Sequence, residues 1–420
     1  MSHFEVLIIG GGTGGITVAA QLRRKNKSLS IGLVEPSENH FYQPAWTLVG
    51  AGTFDYEKTK RKEADFIPKG VEWIKDYATG FDPEKNQVLT KSSGNLTYDY
   101  LVVSPGLVMD YSLLPGLEEA MKTDAVGSVY TDPKKFWKML STFKGGNAVF
   151  TQANTPIKCG GAPQKIMYLS EHFLRKKGLR NESNVIFATP GTVIFGVKEI
   201  AKTLNKIIID RDIIFKTYYA PIKIDAEKKE ITFRFMNSHL QNCAMVVDNK
   251  IGEDIVGESD IKMKYDMLHL APPQRAPDFI RDSPLALQEG PNKGWVGVNI
   301  NTLQHNKYPN VFGLGDVVAL PTAKTGAAIR KQAPVVVGNI LHLIKENKLD
   351  NPIYEGYSSC PLVTGYGKMV LAEFKYNNVR DSDPLISKFV DTTKEQFSMW
   401  LLKKYGLPFM YWNLMLRGKA

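Results

Sequence analysis

The 420-residue chain holds three cysteines, and one of them has the surroundings of a nucleophile. Cys159 sits in NAVFTQANTPIKCGGAPQKIMYLSEHF (Asn147–Phe173), after an apolar strand and just ahead of an amphipathic helix that Pro163 suits as its first residue. The positive end of a helix and the ammonium of Lys158 both favour thiolate over thiol, and thiolate is the form that attacks. Cys360 precedes Pro361, which biases it toward extended backbone. Cys243, in SHLQNCAMVVDN, has neither a helix start nor a glycine turn beside it and reads as a bystander. Three cysteines are too few for a secreted disulfide framework and lack the close pairs of a zinc site. Thiol chemistry is therefore expected, and no metal.

A second constellation points to a dinucleotide. In FEVLIIGGGTGGITVAAQLRR, Gly10, Gly12 and Gly15 follow a buried strand and open a helix. The next strand, LSIGLVE, ends in Glu35, about 20 residues beyond Gly15, where a carboxylate pairs with ribose hydroxyls and disfavours a 2′-phosphate. Far along the chain NVFGLGD (Asn310–Asp316) closes another strand on Gly-Asp and resembles the flavoprotein motif whose Asp holds the ribityl chain of FAD. The segment PTAKTGAAIRKQAPVVVGNILHLI then reads as a helix from about Thr325, interrupted or bent near Pro334. Its first N–H groups and Lys324 would face the pyrimidine edge of a flavin and stabilise negative charge there.

These residues need a frame of strands and helices. A chain with 43% hydrophobic and 23% charged residues is globular and long enough for two or three cores. Its formal charge of +10 favours an anionic partner, and the lack of basic clusters with interleaved aromatics argues for a lipid surface over nucleic acid. The expected fold is α/β, with two Rossmann-like dinucleotide-binding domains plus C-terminal amphipathic helices. The FAD-binding domain would comprise residues 1–110 and 291–350, the second domain 111–290, and the C-terminal region 351–420. In the second domain Thr155–Cys159 intervenes where a pyrophosphate loop needs glycines, and VIFATPGTVIFG also lacks the spacing, so an NADH site is read as lost. The chain opens directly on a strand, without a leader pattern, and no apolar run suffices to span a bilayer. In the tail, Phe397, Trp400, Leu401 and Tyr405 share one helical face near Lys403 and Lys404, and a second short helix, Phe409–Leu416, follows Pro408. Such helices lie in a membrane interface, and removing residues from about Lys394 onward is expected to release the protein from membranes.

Four stretches together, HFYQPAWTLVGAG (His40–Gly52), NTPIKCGGAPQKIMYLSE (Asn154–Glu171), TLQHNKYPNVFGLGD (Thr302–Asp316) and SCPLVTGYGKMVLAEF (Ser359–Phe374), resemble the sulfide:quinone oxidoreductases, specifically the mitochondrial type and its bacterial relatives. The resemblance runs from about residue 4 onward and implies FAD as cofactor, with Cys159 and Cys360 as the redox pair. It also implies FAD contacts at Gly10, Gly12, Gly14, Gly15, Glu35, Gln43, Ala78, Asp316, Lys324, Thr325, Gly326 and Ala327. By the same resemblance, hydrosulfide opens a bridge between the cysteines, Cys360 carries the persulfide, and the sulfur anion freed on Cys159 passes two electrons to the flavin. Quinone reoxidises the flavin, and an acceptor such as glutathione, sulfite or sulfide removes the sulfane sulfur. Many bacterial members use a third cysteine upstream of the Cys159 position, a place Cys243 does not occupy. The implied location is the surface of a bacterial plasma membrane or the mitochondrial inner membrane. The main alternative is a type II NADH:quinone oxidoreductase, which an intact glycine loop in the second domain would have favoured; a flavocytochrome-type sulfide dehydrogenase and a non-enzymatic FAD sensor rank below it.

Overall fold

The computed structural model describes residues 2–237, 245–349 and 353–420, so Cys243 lies outside the described residues. The apolar runs HFEVLII and IGLV form strands β1 (His3–Ile9) and β2 (Ile31–Val34), which are covered on both faces as parallel strands usually are. Helix α1 (Thr13–Lys25) joins them. With β3 (Val71–Ile74), β4 (Ala78–Asp82), β5 (Gln87–Thr90) and β6 (Asn95–Val103) they make a sheet in the order β3-β2-β1-β6-β5-β4. A seventh strand, Val311–Gly313, pairs parallel with β6. Val103 lies opposite both Ile9 and Gly313. The glycine loop after β1 and the Gly-Asp loop after Val311–Gly313 therefore leave one edge of the sheet side by side, at the carboxyl ends where α/β sheets bind ligands.

A second sheet is wholly parallel, in the order Val126–Gly127, Met267–His269, Gly146–Thr151, Ser183–Ala188, Ile214–Lys216. Helix α2 (Ala162–Lys176) follows Gly146–Thr151, and its face of Ile166, Met167, Leu169 and Leu174 is buried. Pro163 is its second residue, since Ala162 opens the helix and Gly161 caps it. Four antiparallel strands between Tyr219 and Lys264 pack beside this sheet.

Helix α3 (Gly326–Glu346) runs unbroken through Pro334, so of the expected interruption or bend the interruption does not occur. Ala333, Val335, Val336 and Val337 are buried in the core on either side of the proline, and that packing carries the backbone past one missing donor. A hairpin of β7 (Ser358–Gly365) and β8 (Lys368–Phe374) then lays Cys360, Leu362 and Val363 into the same cluster as the α2 side chains.

The tail is one rod. Helix α4 (Phe397–Leu401) passes through a π-helical turn, Leu402–Gly406, into α5 (Leu407–Asn413), and Pro408 falls in the first turn of α5 without a break. The expected apolar face splits, because Trp400 points into the core beside Met399 while Phe397, Leu401, Tyr405 and Phe409 are 62%, 41%, 61% and 61% exposed. Lys403 is buried and is no flanking cation. Tyr411, Trp412, Met415 and Leu416 join the core of the first sheet. Among the described residues no helix is long and apolar enough to cross a membrane.

The second half of the rod is thus part of the core, so removing residues from Lys394 onward takes out packing as well as the exposed stripe. Trp412→Ala should cost about 3–5 kcal/mol, as large-to-small changes at buried aromatics do. Denaturant unfolding followed by circular dichroism measures it, and an unchanged midpoint would contradict this packing.

Candidate active site

At the edge of the first sheet Gly10 turns with φ +96°, and a Cβ there would meet the Ser104 carbonyl oxygen at 2.6 Å. A Cβ on Gly15 would collide with the Gly10 carbonyl, so the glycine lets α1 sit flush on the loop. No side chain caps the start of α1, which leaves its first N–H groups for an anion. Gly14 lies in the first turn of α1 against Ser104 and Leu314. Glu35 accepts hydrogen bonds from the Gly11 and Ser37 N–H groups, each 2.7 Å. Burial pushes its carboxyl up, and those two bonds oppose the rise. Across the edge, burial raises the Asp316 carboxyl while Lys158 and Lys324 pull it down. Thr325 caps α3 by accepting from the Ala328 N–H at 3.1 Å, and open space surrounds the position of a Cβ on Gly12 or Gly326. Ala327 is half-buried in the first turn of α3, and Ala78 packs half-buried against the sheet core at the start of β4. An uncapped helix start, an acid at the end of β2 and a second acid opposite them fit an extended dinucleotide.

The second domain reaches over to this edge. Its loop, residues 152–161, does not turn tightly into α2; Lys158 and Lys324 form a parallel bridge, and the Cys159 N–H donates to the Lys324 carbonyl at 2.7 Å. Gln274 Oε1 accepts from the Lys158 N–H at 2.8 Å, and the Tyr130 hydroxyl donates to the Cys159 carbonyl at 3.0 Å. Held from several sides, Cys159 takes φ +48°, a left-handed conformation that non-glycine residues adopt at a cost. The strand Ser183–Ala188 ends in Thr189-Pro190, with no acid for a second ribose. A cleft of about 400 Å³ opens between this loop and the segment after Asp316, lined by Gln152, Thr155, Gly160, Trp295, Leu320 and Lys324.

Both cysteines are free thiols, and Cys360 Sγ lies so close to Gly161 that any side chain there would collide with it. The neighbouring Cys360 sulfur draws Cys159 well below the usual thiol range, with Lys165 adding to the fall. The Cys159 sulfur, with burial, pushes the Cys360 thiol up. The Lys165 contact favours the negative charge on Cys159. The Lys165 ammonium donates to Cys159 Sγ at 3.0 Å and is raised despite its burial, by the charge of the sulfurs. Burial, and then Lys165, bring Lys403 down to about 7; its ammonium donates to the Pro44 carbonyl at 2.8 Å.

The cation on the sulfur is therefore Lys165, where the sequence suggested Lys158. The Lys158 ammonium is turned to Gln43 Oε1 at 2.5 Å. Lys324 is spoken for as well, since its ammonium donates to the Asp316 and Val318 carbonyls at 2.7 and 2.8 Å over the ring of Trp295, and burial lowers it to about 8. Sequence reasoning missed Lys165 and took Lys403 for a surface charge. A lysine on the apolar face of α2, in its first turn, was the available signal for the first.

The fold and this site define a class, the two-domain flavoproteins. The family model for pyridine nucleotide-disulphide oxidoreductases matches residues 4–136. The mitochondrial sulfide:quinone oxidoreductase of Mus musculus is 43% identical over 99% of this chain and 87% of its own length. The chain belongs to the sulfide:quinone oxidoreductase family, and a flavin is its cofactor. The solved sulfide:quinone oxidoreductase from Aquifex aeolicus superposes with a TM-score of 0.78 at 20% identity, covering 100% of this chain and 92% of that one. The structure of NDH2 from Plasmodium falciparum in complex with NADH has the same fold at a TM-score of 0.65 and 12% identity, covering 99% of each chain.

Replacing Lys165 with Met should raise the Cys159 thiol toward its ordinary value. Alkylation of wild-type Cys159 is expected to be flat between about pH 6 and 9, since a depressed thiol is already ionised there. In Lys165→Met the rate should fall near neutrality and climb with pH. A flat profile in the variant would remove Lys165 from this role.

Proposed function

We infer that the protein is an FAD-dependent sulfide:quinone oxidoreductase working through Cys159 and Cys360. The observation that carries this reading is the placement of Cys360 Sγ against the Cys159 loop, with the Lys165 ammonium on Cys159 and that loop bridged to Lys324 at the dinucleotide edge. The cycle starts from the disulfide of these two cysteines. Hydrosulfide attacks Cys360 Sγ, the bond to Cys159 breaks with its electron pair on Cys159, and Cys360 is left as a persulfide. Lys165 stabilises the departing thiolate, and Lys403 strengthens the positive field that draws in hydrosulfide. A lysine poised near neutrality also exchanges a proton with the cluster. An acceptor such as glutathione, sulfite or a second sulfide takes the outer sulfur and leaves Cys360 as a thiol. A bound flavin supplies the two-electron sink that restores the disulfide, and quinone reoxidises it. Gly10, Gly12, Gly14, Gly15 and Glu35 would hold the adenosine diphosphate half, and Asp316 with Thr325, Gly326 and Ala327 the flavin half, with Gln43 and Ala78 as further contacts. Residues 1–110 and 291–350 form the FAD-binding domain in this reading, 111–290 a second domain without a nicotinamide site, and 351–420 the C-terminal region.

A water-insoluble quinone requires a membrane surface. The exposed stripe Phe397, Leu401, Tyr405 and Phe409, with Leu385 and Phe389 exposed nearby in the chain, has the apolar character of a monotopic anchor. The protein would then sit on a bacterial plasma membrane or the mitochondrial inner membrane.

Sulfide should bleach the bound flavin and a soluble quinone should restore its colour, whereas NADH should do neither. Cys159→Ser and Cys360→Ser should each abolish sulfide-dependent quinone reduction with FAD still bound, and Cys243→Ser should be nearly silent. Bleaching by NADH without bleaching by sulfide would replace this reading with an NADH:quinone oxidoreductase.

The triple variant Phe397→Asn, Leu401→Asn, Phe409→Asn should keep its melting temperature and lose vesicle binding by ~10-fold or more, given the transfer energy of each side chain. Cosedimentation with vesicles equal to wild type would remove the stripe from the membrane.

A further inference from the structure

A chain of buried polar groups joins the C-terminal rod to the glycine loop. The Tyr411 hydroxyl lies 2.8 Å from Thr13 Oγ1, on the first residue of α1, and 2.6 Å from His40 Nε2. His40 Nδ1 lies 2.9 Å from Glu63 Oε2. Among the described residues the other oxygen of Glu63 has no hydrogen-bond partner, and it stands behind the loop: a Cβ on Gly11 would fall 2.6 Å from both Glu63 Oε1 and Glu35 Cγ. His40, Glu63 and Tyr411 are all buried. Apolar packing alone would seat α5 on this surface, as Trp412 does against Phe66 at 5.0 Å between ring centroids. Buried polar groups in an apolar interface are costly unless they meet partners, so the pairs Tyr411–Thr13, Tyr411–His40 and His40–Glu63 favour one arrangement of the elements they join. Here those elements are α5, the first residue of α1, and the carboxylate behind Gly11 and Glu35.

We propose that Tyr411 is a positioning residue for the dinucleotide, fixing Thr13 directly and Glu63 through His40, so that the C-terminal rod sets the geometry of the adenosine end of the cofactor site. The proposal rests on the reading of a bound FAD. Tyr411 itself acts through other residues and touches no reacting atom.

The test is FAD binding to deflavinated protein, followed by flavin fluorescence, in wild type, Tyr411→Phe and Trp412→Phe. Tyr411→Phe keeps the ring and removes two hydrogen bonds, and its dissociation constant for FAD should rise ~10-fold. The absorbance spectrum of the flavin that does bind, and its bleaching by sulfide, should stay those of wild type, because the reacting end is untouched. Trp412→Phe perturbs only packing in the same interface and should lower the unfolding midpoint at least as much, with FAD affinity kept. Wild-type affinity in Tyr411→Phe overturns the proposal, as does an equal loss of affinity in Trp412→Phe. Failure of the wild-type protein to bind FAD would instead sink the flavin reading of the site.

Discussion

A thiolate is hard to bury without a counter-charge, and the architecture around Cys159 is organised by that requirement. Desolvation pushes a buried thiol toward its neutral form, and the neighbouring Cys360 sulfur, the Lys165 ammonium and, last, Lys403 reverse the direction. Lys165 comes from the helix after the cysteine loop, Cys360 from a hairpin two hundred residues further along the sequence, and Lys403 from the C-terminal rod. No one of these elements could make the charge arrangement alone. The packing of α2 against β7 places the first two, and the rod brings the third.

The same requirement explains what became of the second domain. Its parallel sheet is laid out for a nucleotide, but the segment after Gly146–Thr151 leaves as a long arm that carries Cys159 to the Lys324 backbone. A loop cannot both fold tightly around a pyrophosphate and reach the neighbouring domain. The loop presents a thiol at the first domain's edge while the sheet that supports it is kept.

Much of this was legible because it is local. Gly10, Gly12, Gly15 and Glu35 announce themselves through a strand, a turn, a helix and a spacing that must coincide for any dinucleotide edge. Cys159 ahead of a helix was legible for the same reason. Which lysine meets the sulfur was not, since Lys158 adjoins Cys159 in sequence while Lys165 returns to it from the first turn of the following helix. The tail misled in a similar way. Regular helical spacing grouped Trp400 with Phe397 and Leu401, whereas core packing and a π turn leave Phe409 on the exposed stripe and take Lys403 inside. Pro334 shows the converse, a local breaker overruled by a buried helix.

The rod that supplies Lys403 on one side carries the exposed aromatic stripe on the other, and this has a consequence in time. A chain emerging from the ribosome displays Cys159 long before Cys360, and both before Lys403. Until the rod docks, the sulfurs lack part of their positive surroundings. The segment that carries the apolar stripe therefore also completes the charge around the thiolate, so seating the tail and tuning the sulfur are one event.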